Sequence, residues 1–181
     1  MARPAHFVHD DPRRPVDNFA EALAAVKMLK EEGVVSDYAI GGAMAVTFWA
    51  EPAATFDLDV FVLLHSPATL VSLEGIYSWA RQHRYPEQAE HIVIAGVPVQ
   101  FIPAPDRLAE EAVEAAADLE YDGESIRVIR AEYLIAMYLQ PAARTRRRLE
   151  RVWALLEVAR VDRKLLDDVL ERHELELPEQ P

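Results

Sequence analysis

The sequence contains no cysteine, few glycines and no long apolar run, and each of these absences excludes something. Without cysteine the chain can form no disulfide and offers no thiolate nucleophile or metal ligand. No stretch approaches the roughly 18 consecutive apolar residues of a membrane-spanning helix. Residues 1–15 also lack the apolar segment of a signal peptide. The expected compartment is therefore the cytoplasm, and no membrane partner is expected.

Basic residues are in the minority as well. The chain carries 31 acidic and 19 basic residues, which gives a formal net charge of −12. A negative field of this size repels the phosphate backbone of nucleic acids, so non-specific DNA binding is not expected. An acidic protein that handles anionic nucleotides must do so locally, through metal ions, backbone N–H groups or a few placed arginines.

The length of 181 residues, just over half of them apolar, fits a single domain with a substantial core. We expect flexible residues at 1–15, an αβ core over 16–103 and a mainly helical extension over 104–181 with one hairpin at Asp122-Gly123. The fold class is then α+β, a mixed sheet with flanking helices. Residues 91–102 predict a second hairpin that turns at Ala95-Gly96, and Pro98 predicts that its second strand is an edge or bulged strand.

Two of the six glycines, Gly41 and Gly42, are adjacent and lie between a predicted strand and a predicted short helix. Glycine lets the backbone approach a ligand closely, and the N–H groups at the start of a helix attract anions. A phosphate is the natural ligand of such a turn. The alternative is a tight turn with no ligand.

Two aspartates begin the apolar run at 57–64. The side-chain period of a strand places Asp57 and Asp59 on one face, with their Cα atoms about 7 Å apart. Two neighbouring carboxylates repel each other unless a cation joins them, and Mg²⁺ or Mn²⁺ prefers such oxygen ligands. The alternative is a solvated pair at the start of a strand, with Thr55 serving only a turn.

The segment from Tyr38 to Val46, followed by Glu51 to Val62, resembles the nucleotidyltransferase superfamily. It is most similar to the small bacterial branch that includes the AbiEii-type abortive-infection toxins. Such proteins have a mixed sheet with helices, and many attach a nucleoside monophosphate to an acceptor with metal-bound carboxylates. The resemblance implies an NTP substrate, Mg²⁺ or Mn²⁺, and an acceptor that is a small molecule, a protein or a tRNA. It also implies a role in a toxin–antitoxin or phage-defence system, with a possible partner protein.

Carried over residue by residue, the resemblance implies that Gly41, Gly42 and Thr55 hold phosphates and that Asp57 and Asp59 hold the metal. A third carboxylate often stands where this chain has Gln100, whose amide oxygen can bind a metal but brings no charge. If the Ala95-Gly96 turn has two residues, His91 faces Gln100 and is a candidate base. The alternative is a half-exposed edge histidine. Relatives often carry lysine at the position of Tyr138.

Four arginines share one face of a predicted helix, at spacings of three, four and seven residues. They are Arg144, Arg147, Arg148 and Arg151. The first three are candidate phosphate ligands, and the stripe could also touch an RNA or protein acceptor. The alternatives are ion pairs with Glu110, Glu111 and Glu114, or simple solvation. The rival to an enzyme is a catalytically degenerate relative that binds a nucleotide or a partner protein without transfer.

Overall fold

The computed structural model describes residues 18–50, 55, 57–65, 72–143 and 145–178. The flexible segment expected at 1–15 lies outside the described residues, and so does Arg144, one of the candidate phosphate ligands. None of the helices in the described part of the chain has the length and apolar character needed to cross a bilayer.

Seven strands form one mixed sheet. Their bounds are β1 Asp37–Ile40, β2 Leu58–Leu63, β3 Glu87–Gln88, β4 His91–Ile94, β5 Val97–Pro103, β6 Ala117–Tyr121 and β7 Glu124–Val128. The strand order is β3-β4-β5-β2-β1-β7-β6. β2 is antiparallel to β1 and parallel to β5, and β7 is parallel to β1. The apolar run that contains Asp59 is therefore the middle strand of the sheet, and the α+β prediction is confirmed.

Seven α-helices within the described residues flank this sheet. They are α1 Phe19–Glu31, α2 Gly42–Trp49, α3 Glu74–Gln82, α4 Arg107–Glu114, α5 Ala131–Leu139, α6 Arg146–Val158 and α7 Arg163–Arg172. Three of them begin where the sequence supplies an N-cap. The side chains of Asp106, Thr145 and Asp162 accept hydrogen bonds from backbone N–H groups three residues ahead, at 2.9, 3.3 and 3.1 Å.

The predicted hairpin at 91–102 is confirmed as β4 and β5. Ala95 and Gly96 both have positive φ angles, 51° and 84°, as a two-residue hairpin turn of the favoured hand requires. Ile92 pairs with Val99. This register aligns His91 with Gln100, as the sequence predicted.

The prediction that Pro98 marks an edge or bulged strand is wrong. β5 pairs with β4 on one side and β2 on the other, so it is an interior strand. The ladder to β2 starts only at Val99. Pro98 pairs with Val93, whose N–H is donated to Pro86 on the far side of β4. The missing N–H of Pro98 therefore faces β2 just before that ladder begins, where it removes no bond.

The predicted hairpin at Asp122-Gly123 is formed by β6 and β7, and both strands belong to the mixed sheet. β7 runs beside β1, and the N–H of Ile129 donates to the carbonyl of Ile40 at 2.9 Å. Directly after this contact the chain enters α5, eight of whose nine residues are buried. α5 contacts α2, α4, α6 and α7. The C-terminal half is thereby packed against the short helix that follows Gly41.

Candidate active site

Asp59 lies in the middle strand, and Asp57 lies one residue before that strand begins. The sequence pattern predicted that both aspartates lie within the strand. The hydroxyl of Thr55 donates to the backbone carbonyl of Asp57 at 3.2 Å and to its Oδ1 at 3.0 Å. Such local bonds compete with strand pairing and hold Asp57 in a bend. The side chain of Asp57 is exposed, whereas that of Asp59 is half-buried.

The backbone of Gly41 and Gly42 packs so closely against β2 that neither position has room for a side chain. A Cβ on Gly42 would lie 1.8 Å from Oδ2 of Asp59, and Gly42 has a φ of +58°. A Cβ on Gly41 would lie 2.5 Å from the ring of Phe61. The N–H of Gly41 is donated to the carbonyl of Asp59 at 2.8 Å. Gly41 therefore offers no N–H to a phosphate, while the first N–H groups of α2, from Gly42 onward, have no partner within the helix.

The β4–β5 hairpin forms the neighbouring wall. Gln100 is the register partner of Asp59 on the adjacent parallel strand, so their side chains leave the sheet on the same face. His91 stands one strand further out and lines the same cleft as Asp59. Gln100 is not among the residues that line this cleft.

Helix α6 supplies a basic wall opposite the hairpin. Arg147 and Arg151 line the cleft. Arg148 is half-buried and donates through Nη1 to the carbonyl of Ala143 at 3.1 Å. The alternative pairing of this stripe with Glu111 is not what the structure has, because Glu111 pairs with Arg107, Arg172 and His173. Of the three arginines of the stripe that the structure describes, Arg147 and Arg151 are directed to the cleft.

Tyr138 on α5 connects the basic wall to the glycine pair. Its side chain is 6% exposed, and its hydroxyl donates to the carbonyl of Gly42 at 3.0 Å. The guanidinium carbons of Arg148 and Arg151 each lie 5.9 Å from the centre of its ring, within the range of cation–π attraction. Tyr138 thus presents a ring that packs against two arginines.

These elements enclose one cleft of about 680 Å³, a size typical of small-molecule sites. Its walls come from the start of α2, the segment before β2, the β3–β4 turn, β5 and α6. The lining residues are Ala43, Thr55, Asp57, Asp59, Gln88, Ala89, Glu90, His91, Pro98, Arg147 and Arg151. The structure thus brings together five of the predicted site residues, Thr55, Asp57, Asp59, His91 and Arg147.

Solved structures share this architecture. An antigenic nucleotidyltransferase-like protein from Paracoccidioides brasiliensis matches with a TM-score of 0.54 and 13% identity, over 87% of this chain and 87% of that chain. The chain has the fold of a nucleotidyltransferase-like protein. Two structures of ANT(2'')-Ia also match. The solution structure of this antibiotic-resistance factor has a TM-score of 0.49 and 14% identity, over 88% of this chain and 93% of that chain. The crystal structure with adenylyl-2''-tobramycin has a TM-score of 0.48 and 17% identity, over 86% and 96%. No family model and no curated protein matches the sequence.

In this nucleotidyltransferase-like fold the surroundings of Asp59 raise the pKa of its carboxylate. Burial raises the pKa of Asp59 above its ordinary value, and the negative charge of Asp57 raises it further. Positive charge from Arg151, His91 and Arg148, in that order, opposes the rise without cancelling it. Burial and the neighbouring carboxylate therefore disfavour the ionised form of Asp59 in the ligand-free cleft.

The carboxylate pair fits a hard divalent cation that shares its coordination with substrate. Among the described residues, no group of three or more His, Asp or Glu side chains is arranged to hold a metal ion. Mg²⁺ typically takes one or two carboxylates and fills its remaining positions with water and substrate phosphates. Asp57 and Asp59 match that donor set, and a cation between them would relieve the repulsion of the two carboxylates.

Arg151 and Tyr138 were not selected as site residues from the sequence. The arginine spacing was visible, but helical periodicity alone cannot say which members of a stripe face a cleft. Tyr138 lies 96 residues from Gly42, to which it is hydrogen bonded, so no local pattern links them. Gln88 also lines the cleft, from a two-residue strand too short to leave a sequence signal, and so does Glu90, from the turn that follows this strand.

Proposed function

We propose that this chain transfers a nucleoside monophosphate from an NTP to an acceptor in the presence of Mg²⁺ or Mn²⁺. The observation that carries the proposal is the meeting of Asp57 and Asp59, the start of α2 and two arginines of α6 in one cleft. Acidic and basic groups face each other there, as binding of a metal–triphosphate complex requires.

Each element of the cleft has a defined task in this proposal. Asp57 and Asp59 hold the cation, which when bound neutralises charge on the phosphates. The N–H groups from Gly42 onward and the guanidinium group of Arg147 bind phosphate oxygens, whereas Arg148 is held outside the cleft lining by its bond to Ala143. Gly41 holds the turn against β2 through its bond to Asp59. Thr55 orients Asp57 through its hydroxyl.

The transfer is an in-line displacement. An oxygen of the acceptor forms a bond to the α-phosphorus while the bond to the pyrophosphate oxygen breaks, and pyrophosphate leaves. His91 takes the proton of the acceptor, because it lines the same cleft as Asp59 and a neutral imidazole can accept a proton. The acceptor is a small molecule, a protein or a tRNA. Following the resemblance to abortive-infection toxins, we place the activity in a toxin–antitoxin or phage-defence system.

A second candidate function is nucleotide or partner-protein binding without transfer. It is favoured by Gln100, a neutral amide in register with Asp59 where relatives often carry a third carboxylate. In this case the cleft binds the metal–nucleotide complex, but no group on β5 supplies the charge of a third metal ligand.

The first test is thermal unfolding with ATP, GTP, CTP and UTP, each with and without Mg²⁺ or Mn²⁺. A nucleotide at about 100 times its dissociation constant should stabilise the protein by about 2.7 kcal/mol. For a chain of this size the melting temperature should rise by about 5–10 °C. Asp57→Asn/Asp59→Asn should abolish the metal-dependent part of the shift.

The matched control is the double variant Asp167→Asn/Glu171→Gln, which removes two exposed charges from α7. It should keep the metal-dependent rise in melting temperature. Transfer of label from an α-labelled NTP, with release of pyrophosphate, then separates the enzyme from the binding relative. Binding without transfer to any acceptor in a host lysate favours the second candidate. No stabilisation by any nucleotide and metal contradicts both.

A further inference from the structure

Arg151 occupies a distinctive place among the arginines of α6. It lines the cleft together with Asp59, and its guanidinium carbon lies 5.9 Å from the centre of the Tyr138 ring. By contrast, Arg146 on the same helix is 95% exposed and pairs with Glu150 at 3.1 Å. Arg151 is therefore directed inward, where its charge acts on the cleft rather than on solvent.

The ring of Tyr138, against which Arg151 packs, is held in place by a hydrogen bond from its hydroxyl group. The hydroxyl of Tyr138 donates to the carbonyl of Gly42, and the side chain is 6% exposed. A ring held in this way presents one constant surface to a guanidinium group, and the planar guanidinium stacks on aromatic faces better than an ammonium group does. Tyr138 thereby restricts where the charge of Arg151 can lie.

Gly42 is also the residue against which Asp59 rests, since a Cβ there would lie 1.8 Å from Oδ2 of Asp59. Tyr138, Gly42 and Asp59 thus form a continuous chain of contacts. Arg151 packs against the Tyr138 ring and lines the same cleft as Asp59.

We propose that Arg151, positioned by Tyr138, is the counter-charge of Asp59 in the ligand-free cleft and a phosphate ligand in the nucleotide complex. This inference rests on the proposed function, because it needs a divalent cation on Asp57 and Asp59 and a triphosphate beside them. The positive charge of Arg151 then has opposite effects on the two ligands. It repels a free divalent cation from the carboxylate pair, and it attracts the triphosphate that arrives with the metal.

The test compares the wild type with Arg151→Met in two binding measurements that do not depend on turnover. Binding of Mn²⁺ alone is measured by the electron paramagnetic resonance signal of the free ion. Binding of the Mg²⁺ complex of the best-bound NTP is measured by calorimetry. Arg151→Met should bind Mn²⁺ roughly threefold more tightly, since one repelling charge is gone. It should bind the nucleotide about tenfold more weakly, since a charge-assisted hydrogen bond is lost.

Three further variants keep the result interpretable. Arg151→Lys retains the charge, so its Mn²⁺ affinity should stay near that of the wild type. Tyr138→Leu removes the surface against which Arg151 rests and should move both affinities in the same directions as Arg151→Met, by smaller factors. Arg146→Met removes an exposed charge from the same helix and should change neither.

The decisive feature is the opposite sign of the two changes. If Arg151→Met weakens both ligands, or leaves Mn²⁺ binding unchanged while the wild type binds Mn²⁺, the counter-charge role is overturned and the proposed function stands. If the wild type binds neither Mn²⁺ nor any nucleotide, the proposed function fails first and the inference fails with it.

Discussion

Two groups of carboxylates in this protein have opposite surroundings. Asp59, in the cleft, has Asp57 as a neighbour, and its pKa is raised by burial and by that like charge. Glu111, between α4 and α7, accepts hydrogen bonds from His173 at 3.1 Å and from Arg107 at 3.0 Å, and pairs with Arg172. Burial alone would raise the pKa of Glu111, but these partners outweigh it and lower the pKa.

The difference separates charge that stabilises the fold from charge that is available to a ligand. Glu132 belongs with Glu111, because its buried carboxylate accepts a bond from the N–H of Asp162 at 2.7 Å and pairs with Arg130. These partnered carboxylates join the C-terminal helices to the rest of the chain. Among the described residues the cleft carboxylates have no comparable set of partners, so a cation can improve their surroundings.

The largest effect is expected for Glu132→Ala. The side chain of Glu132 is 4% exposed, and removing it leaves the N–H of Asp162 and the charge of Arg130 without their partner. Loss of a charged hydrogen-bond acceptor costs about 1.5–3 kcal/mol, and the cavity left by the buried side chain adds to this, so we expect a loss of about 3–5 kcal/mol of unfolding free energy. Urea unfolding measures this, with the exposed Glu171→Ala on α7 as control. A loss below about 1 kcal/mol would remove Glu132 from the stabilising group.

Gly42→Ala tests the cleft side of the comparison. The new Cβ would meet Oδ2 of Asp59 at 1.8 Å, and a φ of +58° disfavours any side chain. We expect a loss of about 2–4 kcal/mol together with loss of the nucleotide-induced melting shift. Gly33→Ala is a matched control, because Gly33 has a φ of +70° with nothing within 4 Å of its Cβ position. It should cost about 1–2 kcal/mol and keep the shift. Equal losses in the two variants would mean that contact with Asp59 adds nothing.

Glu111→Gln should cost about 1–2 kcal/mol at neutral pH, the value of hydrogen bonds to a charged group. The folded pKa of Glu111 lies below its ordinary value of 4.5. Its contribution is therefore complete above pH 4.5 and is lost as the pH falls through the lower folded pKa. Urea unfolding of wild type and variant between pH 7 and pH 3 should converge at the acid end. Glu110→Gln, exposed on the same helix, should show no such convergence, and a constant difference for Glu111→Gln would contradict the assignment.

The smallest effect is expected for Asp59→Asn without metal. Burial and the charge of Asp57 disfavour the ionised form of Asp59, so its removal should leave the unfolding free energy unchanged or raise it by up to about 1 kcal/mol. The measurement is urea unfolding in the presence of a chelator. A loss above about 1 kcal/mol would mean that Asp59 stabilises the fold, as Glu111 does, and would erase the contrast between the two groups.

Several local features were predictable because neighbouring residues determine them. The Ala95-Gly96 turn set the register of β4 and β5, and with it the alignment of His91 with Gln100. The Asp57-Leu58-Asp59 spacing placed two carboxylates at the start of β2. Other features needed partners from distant segments. Pro98 was misjudged because its tolerance depends on where the ladder to β2 begins.

The sequence by itself determined the two hairpins and the chemical identity of the carboxylate pair, since turns and side-chain periodicity act over a few residues. Only the tertiary structure decided that β7 lies beside β1 and that α5 then meets α2. That packing brings Tyr138 to Gly42 and Arg151 to the cleft with Asp59. The physical reason is that such contacts join residues about 90 positions apart, and burial of the whole core selects them where local propensity cannot.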